Sequence, residues 1–366
     1  MVICVEIDAK TKEDLDKLVL QGGFQSYSEA IAVALKNQLL LQRQVGESKS
    51  VVIGAEQDGD RISKAPTTGP RRLKSEADGR SLPLEVPSLF ALSTTPNLGL
   101  IPSPIPDRDE NNSISVTVDR WIFGQFNRLL PAKANCRGLA ALYEGSNGVP
   151  LSKAVAQIAL EAGKLGDYLR AVDERYGLGR DDALATAFPV SGGDGDKARL
   201  RYGNQFVGSL NTQGELSGLL IDLKLINYEP GKDAKISLTA PGLDFARMPS
   251  PILDSKGASQ KAKFNPEEVE FFLNHIRSHV RVEHAAYQTI ITALSAGADT
   301  PERLDDAIAQ YVPSRPEKPF TKAFLSTQRS GAIARMCELG LVQRIRDGIR
   351  VRYVPTERGR MYITES

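Results

Sequence analysis

The chain has 366 residues, with 46 Lys or Arg against 45 Asp or Glu, so its formal net charge is +1 and no global basic field surrounds it. Any nucleic-acid contact must then come from local patches. About 41% of the residues are hydrophobic, yet no apolar run reaches membrane-spanning length, and the three cysteines Cys4, Cys136 and Cys337 have neither metal-ligand nor redox spacing, which suits a reducing, cytoplasmic setting without a membrane or a disulfide framework.

The first unit covers residues 1–44. "VICVEID" alternates, so Ile3, Val5 and Ile7 share an inward face and Val2, Cys4 and Glu6 an outward one. "TKEDLDKLVLQ" has helical spacing at Leu15, Leu18 and Val19, and Gly22-Gly23 stops it. "SYSEAIAVALKNQLLLQ" restarts a helix, with capping-box spacing at Ser26 and Glu29 and an apolar face that includes Ile31 and Leu35. A strand and two helices in about 40 residues cannot bury a core alone. Nor does the N-terminal stretch carry the basic segment and long apolar core of a secretory signal.

These residues resemble the ribbon-helix-helix proteins of the Arc/MetJ/CopG type, and Gly23–Ile31 carries most of the likeness. The resemblance implies a homodimer in which Ile3, Val5, Ile7, Ile31 and Leu35 form the interface and two strands pair into a ribbon that enters the DNA major groove. The outward set departs from that family, because valine and cysteine offer little hydrogen bonding and Glu6 opposes phosphate. The ribbon is therefore expected mainly to dimerise.

Residues 45–112 are rich in Pro, Ser and Gly and read as a disordered linker. Within it, "RRLK" is a weak phosphate contact and "SLPLEVPSLFALS" is apolar enough to dock. Residues 113–254 read as a globular region, with helices at "WIFGQFNRLL", "CRGLAALYEG" and "LSKAVAQIALEAGKLGDYLRAVDERYG". There follow a helix, two strands and a helix start in "TQGELSGLLIDLKLINYEPGKDAKISLTAPGLDFA". Residues 264–366 form the last region, opening on Asn265 as cap, Pro266 at the first helical position and Glu268 closing the box. Further helices are expected at "AYQTIITALSAG", at "TPERLDDAIAQYV" and after Ser326.

The last two regions share an order: a polar helix start, a leucine-rich helix end, a hairpin and then Thr-x-x-Gly. Both resemble winged-helix domains, which implies a third helix in the major groove and a hairpin wing along the DNA backbone or the minor groove. In the final hairpin, "QRIRDGIRVRYV", a three-residue loop Arg346-Asp347-Gly348 would set Ile345 opposite Ile349 and Arg344 opposite Arg350. Ile345, Ile349, Val351 and Tyr353 then share one face. Arg344, Arg350 and Arg352 share the other, with Arg346 at the tip. On the preceding helix Ile333, Met336 and Cys337 define an inward face. Gln328, Gly331 and Arg335 fall opposite, while Arg329 falls nearer the buried side but close enough to the helix start to reach phosphate. Gln and Arg read base edges. The expected DNA contacts are therefore Gln328, Arg329, Arg335, Arg344, Arg346, Arg350 and Arg352.

In the middle region Gln213, Ser217, Asp222 and Lys224 are the expected outer face of the third helix, and its hairpin is less basic. That suits packing on a protein partner. His275 and His279 lie one helical turn apart without a nearby cysteine, and "SGGDGDK" lacks the spacing of a nucleotide loop. No metal, cofactor or catalytic role is expected.

The expected fold is α+β, mainly α: a ribbon-helix-helix unit and tandem winged-helix domains joined by a disordered linker. The expected function is a sequence-specific, homodimeric prokaryotic transcriptional regulator on double-stranded DNA. The alternatives are a DNA-binding adaptor of a plasmid-partition, mobile-element or antiphage complex, or an antitoxin.

Overall fold

Thr239 and Thr356 begin the same piece of architecture twice. The Thr239 N–H donates to Leu225 O and its hydroxyl to Lys224 O, while the hydroxyl oxygen accepts from Gly242 N. The Thr356 N–H donates to Leu341 O and its hydroxyl to Gly340 O, and its oxygen accepts from Gly359 N. In each copy the preceding helix ends in a left-handed residue, Lys224 at φ 55° and Gly340 at φ 69°. A Cβ on Gly242 or Gly359 would collide with the carbonyl of Leu225 or Leu341, so the Thr-x-x-Gly pattern is a packing requirement as well as a cap.

The computed structural model describes residues 85–92, 101–106, 116–143, 148–191, 195–231, 234–256, 261–312, 320–348 and 350–364. The ribbon-helix-helix expectation and its interface residues Ile3, Val5, Ile7, Ile31 and Leu35 lie outside these, as does "RRLK". The described residues belong to one unit, 77–366. They are α+β and mainly helical, with small antiparallel sheets.

The middle region holds α1 (Leu130–Ala141), β1 (Val149–Pro150), α2 (Leu151–Tyr176), α3 (Gly195–Tyr202), β2 (Ser209–Leu210), β3 (Leu216–Ser217), α4 (Leu219–Asp222), β4 (Ile226–Glu229), β5 (Lys235–Leu238) and α5 (Ala240–Arg247). The C-terminal region holds α6 (Pro266–His279), α7 (Arg281–Ser295), α8 (Pro301–Tyr311), α9 (Lys322–Glu338), β6 (Val342–Asp347), β7 (Arg350–Pro355) and α10 (Glu357–Thr364). The middle sheet has the order β1-β5-β4, with the last strand central. The C-terminal region repeats this in reduced form, because Tyr353 N in β7 donates to Asp299 O in the α7–α8 connection while β6 pairs on the other side.

The caps follow the sequence. Asn265 and Glu268 close the expected capping box on α6, with Pro266 at its first position. Thr300 caps α8 and Thr321 caps α9. The cap at Thr321 starts α9 five residues before the Ser326 boundary, which sets Arg329 well inside the helix instead of near its start.

Three further expectations change. "WIFGQFNRLL" is irregular up to Leu129, and backbone groups of Trp121, Gly124, Phe126 and Leu129 bond to α9 side chains. Gln213 and Ser217 sit on the β2–β3 hairpin, not on a helix, and α4 is one turn long. The 45–112 stretch is not all linker. Phe90 is fully buried, Arg137 Nη1 donates to its carbonyl, and Ser103 N donates to Leu238 O at the sheet. Residues 85–92 of the apolar "SLPLEVPSLFALS" thus dock on their own chain.

α1 is buried along its whole length and carries three polar staples. Lys133 meets Glu268 at 2.9 Å, Asn135 bonds Phe206 O and Tyr202, and Arg137 makes a two-point contact with Asp254 at 2.6 and 2.8 Å. These tie α6 and the 249–254 turn to the middle region.

Candidate nucleic-acid interface

α9 is the element on which the expected reading residues lie, and most of it is covered. From Leu325 to Met336 nine residues are buried, Gln328, Arg329, Gly331 and Arg335 among them, while Thr327 and Ser330 stay exposed. Gln328 is 2% exposed: its Oε1 accepts from Gly124 N at 2.5 Å and its Nε2 donates to Val118 O and Trp121 O. A Cβ on Gly331 would strike the Gly124 backbone, so the missing side chain admits this chain's own segment. Arg335, at 0% exposure, binds Glu283 at 2.6 and 3.0 Å and donates to Phe126 O at 2.6 Å. Arg329 is 5% exposed and pairs with Asp305 at 2.7 Å and with the Tyr353 hydroxyl.

The outward face expected for Gln328, Gly331 and Arg335 is therefore overturned, and with it the expectation that Gln328, Arg329 and Arg335 meet DNA in this arrangement. Gln328 is satisfied by backbone groups of residues 118–124, Arg335 by Glu283 and the Phe126 carbonyl, and Arg329 by Asp305, Ser326 and Tyr353, so none of these three side chains is left to face a groove.

The hairpin also differs from expectation. Arg344 pairs with Tyr353, Ile345 with Arg352, Arg346 with Val351 and Asp347 with Arg350, so the loop has two residues, with Gly348 at φ 58°. A two-residue loop with glycine at positive φ matches the twist of the strands. The change of register reassigns the faces. Arg344 and Arg346 share the inner face with Val351 and Tyr353, while Arg350 and Arg352 share the outer one with Ile345. The four arginines do not form a single basic face.

Each face has its own environment. On the inner side Arg344 Nη1 donates to Asp181 Oδ1 at 2.6 Å and Arg346 Nε to Oδ2 at 2.5 Å. The bond from Arg346, with Arg344 beside it, holds the Asp181 carboxyl below its ordinary range. Next to this pair is a cavity of about 640 Å3 lined by Arg128, Asp181, Lys263, Cys337, Glu338 and Arg344 among others. Glu338 is buried there, accepting from Leu129 N at 2.7 Å and pairing with Lys263 at 3.0 Å. Burial raises the Cys337 thiol above its ordinary pKa, so it stays protonated.

On the outer side Ile345 is 44% exposed, Arg350 is exposed, and Arg352 is exposed while meeting Asp299 at 2.6 Å. Arg303, at the start of α8, reaches the same carboxylate at 3.8 Å. Exposed pairs of this kind hold weakly and exchange readily for another anion.

Asp181, Arg128, Lys263 and Arg303 went unnoticed in the sequence. They stand in separate loops and helix starts, and no spacing links them to the hairpin. Among the described residues no group of three or more His, Cys, Asp or Glu is placed to hold a metal, and no helix is long and apolar enough to cross a membrane. His275 Nε2 instead meets Leu223 O at 2.7 Å, and burial lowers its pKa to about 4.

Comparison of the chain with protein-family models, curated proteins and solved structures found no match to any of them.

Proposed function

We propose that the chain is a double-stranded-DNA-binding protein of the cytoplasm, built on two winged-helix units, and that its C-terminal unit grips DNA with the outer face of its wing. The observation that carries the reading is the repeated topology, a hairpin whose last strand is central followed by a Thr-x-x-Gly-capped helix, combined with the exposed Arg350, Ile345 and Arg352 on the second hairpin. Arg350 and Arg352 contact phosphates and Ile345 lies against the sugar edge. α9 acts as a packing helix, so this unit contributes affinity more than base readout. Dimerisation by residues 1–44 belongs to the same proposal, as does the role of a prokaryotic transcriptional regulator.

The enclosure of α9 favours a second reading, a DNA-binding adaptor of a larger assembly, since its base-specific contacts would be few and its binding weak and salt-sensitive.

The test is a salt series of duplex binding with the full chain. Replacing Arg350 and Arg352 with alanine removes two phosphate contacts and makes the slope of log K against log salt shallower by about 1.8. An unchanged slope and affinity overturns the wing assignment. A discrete site selected from random duplexes supports the regulator over the adaptor.

A further inference from the structure

The inner face of the same hairpin holds two more arginines, and both are occupied by one carboxylate. Arg344 and Arg346 each give a charge-assisted hydrogen bond to a different oxygen of Asp181, at 2.6 and 2.5 Å. A carboxylate spanning two guanidinium groups through separate oxygens has the acceptor arrangement of a phosphodiester spanning the same two groups. Asp181 comes from the loop after α2, about 160 residues away in sequence. Its side chain is 31% exposed and that of Arg346 51%, so water and solutes reach the contact.

The neighbouring attachments differ in kind. The wholly buried Arg335 donates to the Phe126 carbonyl, and Gly331 lies against the Gly124 backbone. Those contacts hold the two regions together whether or not the Asp181 contact is made. The hairpin can therefore leave Asp181 without the body coming apart.

We infer that Arg344 and Arg346 form a second phosphate-binding site on the wing, which Asp181 fills as an internal stand-in until a phosphate of duplex DNA displaces it. This rests on the reading above, and it extends the DNA contact from the outer face of the hairpin to the inner one. Opening the site exchanges one anion for another at the same two guanidinium groups. Asp181 thus competes with DNA and lowers its affinity.

The experiment is a four-way comparison of duplex binding across a salt series: the wild-type chain, Asp181→Asn, Arg344→Ala with Arg346→Ala, and all three changes together. Asp181→Asn is expected to tighten binding roughly fivefold, the scale of a partly exposed ion pair. The arginine pair is expected to make the salt slope shallower by about 1.8. In the triple variant the gain from Asp181→Asn disappears, because nothing is left to unmask. An equal gain with and without the arginines shows only the loss of a nearby negative charge and overturns the inference, as does an unchanged slope in the arginine pair. The arginine pair also serves as the independent test should Asp181→Asn fold poorly. Inorganic phosphate at matched ionic strength is the second arm. If it saturates the hairpin of Asp181→Asn at low concentration, the occupant is a small anion and DNA is ruled out. A wild-type chain that binds no duplex overturns the reading of function itself. One that binds and responds to Arg350 and Arg352 but not to Arg344 and Arg346 overturns this inference alone.

Discussion

Arg335 in α9 and Glu283 in α7 meet at 2.6 and 3.0 Å with neither side chain exposed, and the same guanidinium reaches the Phe126 carbonyl. One side chain thus ties the C-terminal helices to each other and to a segment of the middle region. Removing it leaves a buried carboxylate without its partner. Arg335→Ala is expected to cost about 3–5 kcal/mol in urea denaturation. Replacing Arg335 and Glu283 together with Met and Leu should cost much less. If Arg335→Ala is nearly neutral, the helix is not held as described.

Gln328 makes a sharper distinction, since it was expected to read bases. Its Oε1 is the acceptor for Gly124 N, and its Nε2 serves two carbonyls. Gln328→Ala leaves those backbone groups unpaired and is expected to lower stability by about 1–3 kcal/mol. The salt slope of duplex binding should not move. A stable variant with altered DNA preference would return Gln328 to the reading surface.

Gly331→Ala adds one methyl group against the Gly124 backbone. On a solvated helix the change would stabilise by roughly 1 kcal/mol. Here the contact has no flexible side chain to yield, and the expected result is a loss of about 1–3 kcal/mol. The sign of the change in melting temperature decides between a covered face and an open one.

His275 supplies a pH dependence. Burial lowers its folded pKa from 6.5 to about 4, although its Nε2 meets Leu223 O. The unfolded imidazole takes up its proton near 6.5, so between those values the unfolded state binds more protons. The stability is complete above pH 6.5 and is lost as pH falls toward 4, by at most about 3 kcal/mol. His275→Gln should show a loss smaller by that amount between pH 7 and pH 4. Parallel losses in the two proteins would refute the assignment.

Much of the backbone was legible because its signals are local. Asn265, Pro266 and Glu268 lie within four residues, and the Thr-x-x-Gly repeats at Thr239 and Thr356 lie just beyond the hairpins they follow. The hairpin's existence was legible too, but not its register. Arg346-Asp347-Gly348 suits a three-residue loop by residue type. Setting Val351 and Tyr353 beside Arg344 and Arg346, against the rest of the fold, decided otherwise.

The candidate site is less legible, because a polar side chain is not by itself a sign of exposure. Gln328, Arg329 and Arg335 are polar and buried, satisfied by Gly124, Asp305 and Glu283. Two of those three partners lie at least 50 residues away. Helical periodicity cannot distinguish a solvated polar stripe from one covered by a distant irregular segment.

The central claim is that duplex DNA meets the wing while α9 stays packed, and amide hydrogen exchange of the full chain with and without a bound duplex tests it most directly. New protection is expected over the hairpin residues 343–354, with unchanged, slow exchange over residues 328–336. Unprotected hairpin amides, or faster exchange along α9 on binding as its face opens to the groove, would contradict it.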